Sequence, residues 1–360
     1  MKISVLGTRG FPMIQGGVEK HCESLYPLFS NKFQFTVYRR KPYVNSSKNY
    51  PNIKFLDLPS TRIKGFEAVF HSLLATVSAC FRDAHIVHIH NIGPALFAPL
   101  LHLFGKKIVL TYHSPNYEHT KWGMIARNIL KVSEYIALTC SDAIIFVNGF
   151  QMEKYAEKIQ KKSVYIPNGI PNVVSISSTT YISSLGLKPK KYVISVGRIT
   201  PEKGFDILIE AFEKLDTDYK LAIVGGIEAE SGYGKKLKSL IKSNRVVFTG
   251  YIYGEKLNEI YSHAAVYVLS SLNEGFPLVL LEAMKYQLDV LVSDIPANKE
   301  VGLNDSCYFK CGDIQDLKNC LDIKLQSPLT PHKYNMTSYN WDHIAQQTKD
   351  IYDSLSQKTI

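Results

Sequence analysis

Two glutamates stand eight positions apart in the second half of the chain, in Ser271-Leu-Asn-Glu-Gly-Phe-Pro-Leu-Val-Leu-Leu-Glu-Ala-Met284. Glu274 follows an apolar run in a polar turn. Glu282 lies inside an apolar segment, where an ionised carboxylate is costly unless it has a partner. Because carboxylates accept hydrogen bonds from hydroxyls, the pair predicts a site for a polyhydroxylated ligand.

The residues between the two glutamates predict how they are positioned. Pro277 suits the first turn of a helix, which would leave backbone N–H groups near Gly275 and Phe276 free to bind an oxyanion. Glu274 would then precede the helix and Glu282 would lie inside it, both at the carboxyl end of a strand. Phe276 and Pro277 are predicted to shape a sugar pocket.

A second cluster of candidate residues lies in Gly197-Arg-Ile-Thr-Pro-Glu-Lys-Gly204, directly after a predicted strand. Gly197 ends the strand, and Arg198 and Lys203 are predicted to converge at the edge of the sheet. A guanidinium fork and an ammonium charge together suit a diphosphate. Gly225, at the end of another strand, marks a place where a nucleotide base can lie against backbone, although an ordinary tight turn explains it equally well.

The first half opens with a strand and a glycine-rich loop in which Gly16 and Gly17 precede a helix. Such a loop can approach a diphosphate or a sugar closely, so Gly16 and Gly17 are predicted to bind the donor. The loop does not follow the G-x-G-x-x-G pattern, because the next glycine after Gly7 is Gly10. This spacing argues against a dinucleotide oxidoreductase.

Three histidines of the first half lie at predicted strand ends. His113 is expected to face a cleft, either near a reacting sugar or as a hydrogen-bonded loop histidine. His88 and His90 share one face of a strand, as a metal pair would, but the sequence offers no evident third ligand, so both are predicted to be structural. Asp216 and Asp218 form a D-x-D pattern in a polar turn, and we expect no metal there.

Composition limits the class of protein. The 360 residues, 45% of them hydrophobic, suffice for two cores. Six scattered cysteines predict reduced thiols in a cytoplasm, and no apolar run approaches the roughly 18 residues of a membrane span.

The net charge of +10 comes from residues 1–170, which hold 21 Lys+Arg against 10 Asp+Glu. This excess predicts an anionic partner, a lipid surface or lipid diphosphate rather than nucleic acid, since no basic run interleaves with aromatic residues.

Short β-branched runs alternate with amphipathic segments, which predicts an α/β fold of two doubly wound, Rossmann-like domains with seven strands in the first half and five in the second. The turn formers of Pro167–Pro171 predict a linker. The predicted domains are residues 1–170, residues 171–337 and a terminal helix within residues 338–360.

The two glutamates, the Arg/Lys loop and the glycine pair together resemble the GT-B retaining glycosyltransferases, specifically glycosyltransferase family 4, over nearly the whole chain. The resemblance implies that Glu274 lies beside the donor sugar, that Glu282 binds the ribose, and that Arg198 and Lys203 neutralise the departing diphosphate. It implies that His113 lies near the sugar ring and that the terminal helix crosses back to the first domain. The Gly-Thr-Arg-Gly-Phe-Pro segment is similar to a bacterial surface-polysaccharide branch that makes O-antigen, capsule or lipopolysaccharide.

We therefore predict a metal-independent, retaining hexosyltransferase that needs no cofactor. The donor, a UDP-, dTDP- or GDP-sugar, is predicted to bind the second domain, and a lipid-linked oligosaccharide or polysaccharide precursor the first. The protein is predicted to be cytoplasmic, with peripheral contact to anionic membrane through apolar stretches at Phe66–Phe81 and Pro94–Phe104 near Lys64 and Arg82; these stretches equally suit core helices. A sugar-nucleotide epimerase and a non-catalytic sugar-nucleotide-binding protein are the alternatives.

Overall fold

The computed structural model describes most of the chain: residues 1–14, 16–44, 46, 48–61, 66–115, 117, 123–170, 173–226, 232–327 and 331–357. Lys64 and Pro171, named above, lie outside these ranges. The chain divides into two compact units, one formed by Met1–Gly169 with Thr337–Ile360 and the other by Ile170–Met336.

The strands, in chain order, are β1 Lys2–Leu6, β2 Gln34–Arg40, β3 Ile53–Leu58, β4 Ile86–His90, β5 Lys107–Tyr112, β6 Ala143–Phe146, β7 Ser163–Tyr165, β8 Tyr192–Val196, β9 Lys220–Val224, β10 Val246–Gly250, β11 Val266–Leu269, β12 Asp289–Ser293 and β13 Tyr308–Phe309. The helices are α1 Gly17–Leu25, α2 Phe66–Cys80, α3 Ala98–Leu103, α4 Met124–Cys140, α5 Gly149–Glu153, α6 Glu157–Gln160, α7 Thr180–Ser184, α8 Phe205–Glu213, α9 Gly232–Leu240, α10 Glu255–Ser262, α11 Leu278–Lys285, α12 Pro296–Lys299, α13 Ile314–Gln326 and α14 Trp341–Gln357. None of the helices among the described residues is long and apolar enough to cross a bilayer.

The first unit contains a parallel sheet of seven strands in the order β3-β2-β1-β4-β5-β6-β7. The strands are short runs rich in Val, Ile and Phe, and β4 is buried along its whole length, as expected for strands covered on both faces. The order reverses between β1 and β4, so the loops after these two strands border a crevice at their carboxyl ends.

Helices cover both faces of this sheet. One face packs against α2, α3 and α4, which contribute Ala75, Leu101 and Leu138 to a core with Val87 and Leu110. The other face packs against α1 and α14 in a separate core. The terminal helix α14 therefore belongs to the first unit, as the resemblance implied, and buries Ile344 and Tyr352 there.

The second unit contains a parallel sheet of six strands in the order β10-β9-β8-β11-β12-β13. The reversal falls between β8 and β11, so the loops after these strands lie side by side. The predicted fold class, two doubly wound α/β units, is confirmed. The prediction of five strands in the second half was wrong by one, because β13 spans only Tyr308–Phe309, too short to show a period.

Candidate active site

In the second unit, the loops that follow β8 and β11 are fastened to each other. The amide of Leu272 donates to the carbonyl of Glu202 at 2.8 Å, and Ser270 Oγ donates to the carbonyl of Lys203 at 3.0 Å. Gly204 makes this approach possible: its φ is +63°, and a Cβ there would lie 2.2 Å from the carbonyl oxygen of Ser270. The two predicted clusters are thus held at one edge of the sheet.

Lys203 and Glu274 form an ion pair across these loops, with the Lys203 ammonium donating to Glu274 Oε1. Their side chains are 17% and 8% exposed, so the pair is largely shielded from water. Ser271 Oγ donates to the same carboxylate oxygen at 2.7 Å. The sequence predicted separate roles for the two residues; the structure shows that each balances the other's charge, which matters because an unpaired charge there would be costly.

Arg198 lies in the same loop as Lys203 but is exposed. Its guanidinium forms no ion pair with any residue that the structure describes. An exposed, uncompensated guanidinium next to the end of a parallel strand keeps its donor fork available for phosphate oxygens.

Glu282 is buried in α11 with 5% of its surface exposed. Tyr261 supplies the partner that a buried carboxylate needs, since its hydroxyl donates to Glu282 Oε2 at 3.1 Å. The Tyr261 ring stacks on Tyr286 with centroids 5.0 Å apart, and Tyr286 donates to Asn258 Oδ1 at 2.9 Å. The Glu282 carboxylate is therefore oriented by Tyr261, whose ring is held in place by stacking on Tyr286.

Tyr267 of β11 is a buried residue of this region that the sequence did not single out. Its hydroxyl has no hydrogen-bond partner among the described residues. Burial, and then the nearby carboxylates of Glu274 and Glu282, raise the pKa of Tyr267 well above its ordinary value. The tyrosine thus lies close enough to both glutamates to sense their charge. Within the apolar sequence of β11 it looks like an ordinary core residue.

The helix α11 begins at Leu278, directly after Pro277, which the sequence predicted to lie in the first turn. The Leu280 amide donates to the Pro277 carbonyl at 3.0 Å. The Leu278 amide donates to the carbonyl of Phe276 at 3.1 Å, so this helix-start N–H is not left for a ligand. Phe276 and Pro277 are buried, and Gly275 is half-buried.

In the first unit, the loop after β1 is closed by Glu19 of α1. Its Oε1 accepts from the Arg9 amide at 2.9 Å. Gly16 lies at the start of α1 with a φ of +151°, and a Cβ there would meet Glu19 Oε2 at 1.9 Å. Gly17, by contrast, has open space around its Cβ position. The positive φ of Gly16, rather than the contact with the flexible Glu19 side chain, favours glycine at this position.

His113 begins a chain of buried hydrogen bonds that runs through the first unit. Its Nε2 pairs with His90 Nδ1 at 3.0 Å, and His90 Nε2 pairs with the hydroxyl of Tyr26 at 2.6 Å. The same hydroxyl lies 3.1 Å from His88 Nδ1, which also contacts the Tyr352 hydroxyl at 2.5 Å. His88 and His90 are thus tied into the core, while His113, 8% exposed, is the member nearest the surface.

His21 of α1 joins this cluster and was missed as a site candidate. Its Nδ1 pairs with Asn168 Oδ1 at 2.6 Å, and its Nε2 has no partner among the described residues. Ligand nitrogens of His21, His90 and His113 lie within 4.8 Å of one another, a spacing that suits a transition-metal ion.

Two family models match the chain. The model described as "Glycosyltransferase Family 4" matches residues 15–172, and the model described as "Glycosyl transferases group 1" matches residues 178–341. Between them they match both units with the site residues described above. The chain belongs to the family 4 glycosyltransferases.

Relatives and solved structures agree with this assignment. A putative glycosyltransferase, YtcC, of Bacillus subtilis is 23% identical over 99% of this chain and 92% of its own. An uncharacterized glycosyltransferase of Haemophilus influenzae is 25% identical, and the match spans 59% of this chain and only 60% of that relative. A sucrose-phosphate synthase of Thermosynechococcus elongatus superimposes with a TM-score of 0.82 at 21% identity, covering 99% of each chain. HepE of Anabaena, in complex with UDP and glucose, superimposes with a TM-score of 0.78 at 16% identity, covering 98% of this chain and 100% of its own. These similarities confirm the GT-B fold.

Gly225 of this glycosyltransferase lies where the backbone leaves no space for a side chain, which a substitution can test. A Cβ at Gly225 would lie 2.0 Å from the carbonyl oxygen of Gly197, whereas a Cβ at Gly226 would make only an ordinary contact with Tyr251 at 3.9 Å. We expect Gly225→Ala to lower the free energy of unfolding by about 2–4 kcal/mol, measured by urea denaturation. Gly226→Ala is the neighbouring control and should change it by less than about 1 kcal/mol. Equal losses for both variants would contradict the predicted backbone clash.

The buried histidines predict acid sensitivity. Burial lowers the pKa of His21 to about 4 and that of His88 to about 3, from 6.5. The folded chain therefore binds fewer protons than the unfolded chain below pH 6.5, so stability is full above that pH and falls as the pH drops toward the folded pKa values. We expect a loss of about 1.4 kcal/mol per pH unit for each of these histidines.

Urea denaturation near neutral pH and at about pH 5 measures this slope. His88→Gln should reduce it, because glutamine takes up no proton, while His343→Gln, on an exposed position of α14, should leave it unchanged. An unchanged slope in His88→Gln would show that His88 is already charged in the folded chain.

Proposed function

We propose that this glycosyltransferase moves a hexosyl residue from a nucleotide diphosphate sugar to an acceptor hydroxyl, with retention of the anomeric configuration. The observation that carries the proposal is the convergence of Lys203 and Glu274 at the carboxyl ends of β8 and β11, where the strand order reverses. Open α/β sheets bind ligands at this position. A shielded ion pair there offers a cation to a phosphate and a carboxylate to sugar hydroxyls.

The donor is proposed to bind the second unit. The exposed Arg198 and the largely shielded Lys203 would bind the diphosphate, and Glu282, oriented by Tyr261, would accept hydrogen bonds from the ribose. The missing side chain of Gly225 lets its backbone pack against the carbonyl of Gly197, and these two strand ends would present backbone to the nucleotide. The UDP and glucose bound to HepE, a protein with the same fold, support a UDP-sugar among the candidate donors.

The proposed reaction is a same-face displacement. The bond between the anomeric carbon and the phosphate oxygen breaks as the acceptor oxygen bonds to the same face of that carbon, and the acceptor proton passes to the leaving phosphate oxygen. Arg198 and Lys203 would stabilise the negative charge that develops on the diphosphate, so the proposal requires no metal ion. Burial and the neighbouring histidines lower the pKa of His113 well below its ordinary value, so His113 would act as a neutral hydrogen-bonding group.

The acceptor is proposed to bind the first unit and to be a lipid-linked oligosaccharide or polysaccharide precursor. The excess of basic residues in positions 1–170 supports an acceptor carrying a diphosphate, on the cytoplasmic face of a membrane. O-antigen, capsule and lipopolysaccharide precursors are of this class.

The proposal is tested by incubating the native protein with UDP-, GDP- and dTDP-linked hexoses, with and without a lipid-diphosphate sugar acceptor. We expect one donor to release its nucleoside diphosphate faster when the acceptor is present, and NMR of the product to show the anomeric configuration of the donor. Donor isomerised without acceptor would identify an epimerase instead. Donor binding with no release under any condition would identify a non-catalytic protein.

A further inference from the structure

Helices α2, α3 and α4 form a layer on one face of the first sheet. The outward-facing side of such a layer is normally polar, but here it carries many apolar side chains. Every exposed position of α2 carries an apolar side chain: Phe66, Val69, Leu73 and Val77. Their spacing of three or four residues places them on one stripe of the helix. Phe81, 76% exposed, continues the stripe just beyond the helix end. The outer side of the helix, which is normally polar, is thus apolar.

The neighbouring helices extend this surface. Leu103 at the end of α3 is 83% exposed, and the ring of Phe104 contacts that of Phe81 with centroids 5.0 Å apart. On α4, a second stripe is formed by Ile125, Ile129 and Val132. We define the apolar helix face as Phe66, Val69, Leu73, Val77, Phe81, Leu103, Phe104, Ile125, Ile129 and Val132.

The side chains of the apolar helix face lie on the outer side of helices that cover one face of the sheet. Ala79 of α2, Ala98 of α3 and Ala137 of α4 all belong to one core beneath the helices. Helices that pack side by side on one face of a sheet turn their opposite sides to the same exterior. A cavity of about 400 Å³ opens in this exterior, lined by Leu96, Asn128, Ile129 and Val132. The exterior of this helix layer thus carries exposed apolar side chains on all three helices, and its cavity is mainly apolar.

The charges at this face are positive. Arg127 and Lys131, one turn apart on α4, are exposed and form no ion pair with any residue of the described ranges. The acidic side chains of α2 and α4 are already engaged: Glu67 pairs with Arg40 at 2.7 Å, and Glu134 accepts from Tyr112 and Tyr155. The face thus presents apolar side chains flanked by uncompensated cations.

We propose that the apolar helix face docks this glycosyltransferase on an anionic lipid bilayer, with Phe81, Leu103 and Ile125 entering the headgroup boundary. Long cationic side chains can keep their charged ends among lipid phosphates while their stems lie along apolar surface. The charge complementarity favours an anionic lipid surface over an uncharged apolar partner. This inference rests on the proposed function, because docking on the bilayer would bring the enzyme to a lipid-linked acceptor.

The full chain is mixed with vesicles of phosphatidylcholine alone, and of phosphatidylcholine with phosphatidylglycerol, at low and high salt, and bound protein is measured by cosedimentation. We expect binding to the anionic vesicles that weakens at high salt. Phe81→Ser with Leu103→Ser should lower the partition coefficient by about tenfold or more, because two large apolar side chains are removed from the interface. Arg127→Gln with Lys131→Gln should remove the preference for anionic vesicles.

Ile323→Ser is the matched control, since Ile323 is a 67% exposed apolar residue of α13 in the second unit. All these positions are exposed, so the variants should keep the melting temperature of the native chain. Absence of binding to anionic vesicles at low salt would overturn the proposal. It would also be overturned if Ile323→Ser weakened vesicle binding as much as Phe81→Ser with Leu103→Ser does. Self-association that Phe81→Ser with Leu103→Ser abolishes, without vesicle binding, would assign the face to a second copy of the chain instead. Stabilisation by a donor nucleotide is measured separately, so failure of docking and failure of the proposed transfer can be told apart.

Discussion

Glu274→Gln is expected to lower the rate of sugar transfer by about a hundredfold to a thousandfold while the chain stays folded. Glutamine keeps an oxygen that can accept from Ser271, but it removes the negative charge that pairs with Lys203. The lysine would then lose its fixed position, and the developing sugar charge would lose its nearest carboxylate. The measurement is kcat, with donor and acceptor at saturation.

Asp289→Asn provides the control for this variant. Asp289 pairs with Lys324 at 2.5 Å in the same unit, and their side chains are 13% and 11% exposed, similar to the pair at the site. Both substitutions break a shielded ion pair and should cost similar stability, a few kcal/mol at most. Only Glu274→Gln should lose activity beyond what its melting temperature explains. If Asp289→Asn lowered kcat as much as Glu274→Gln does, the role of Glu274 would be structural rather than catalytic.

Glu282→Ala is expected to abolish the stabilisation of the chain by its donor nucleotide. A ligand at about a hundred times its dissociation constant adds about 2.7 kcal/mol to the free energy of unfolding, and this gain disappears when the ligand no longer binds. The measurement is a thermal-shift series with UDP, GDP, dTDP and CMP and their sugar conjugates. One diphosphate nucleotide should raise the melting temperature of the native chain, and it should leave that of the variant unchanged.

Tyr261→Phe separates the role of Glu282 in binding from its role in packing. The phenylalanine removes the 3.1 Å hydrogen bond to Glu282 but leaves the carboxylate in place. Either change should lower stability by about 1–3 kcal/mol, because a buried polar group loses one of its hydrogen bonds. Tyr261→Phe should nevertheless retain a nucleotide shift, whereas Glu282→Ala should not. A shift that survives in Glu282→Ala would show that the nucleotide binds elsewhere.

The local organisation of the site was predictable because it depends on neighbours in sequence. The apolar run before Ser271 predicted a strand, Pro277 predicted a helix start within one residue, and the positions of Glu274 and Glu282 followed. The helix α8 begins at Phe205, directly after the turn formers Pro201 and Gly204. These features arise from backbone restrictions and from the period of apolar residues, which act over a few residues.

The pairing of side chains was decided by the tertiary structure. Lys203 and Glu274 are 71 positions apart, and only the adjacency of β8 and β11 brings them into contact. Likewise Tyr352 reaches His88 across 264 positions, because α14 packs on the sheet of the first unit. Sheet order depends on how whole elements pack, which no local pattern encodes.

The sequence alone thus determined the class of this protein: two doubly wound α/β units, glycosyltransferase motifs at strand ends, and positive charge concentrated in the first half. It left open whether the apolar stretch beginning at Phe66 forms core or surface, because apolar and polar residues are mixed around this helix and no single face is marked for burial. The tertiary structure decided this by burying Ala75 and Ala79 against the sheet and leaving Phe66, Val69 and Phe81 exposed. Which side of a helix meets water depends on what packs against it, and that is fixed only when the chain folds.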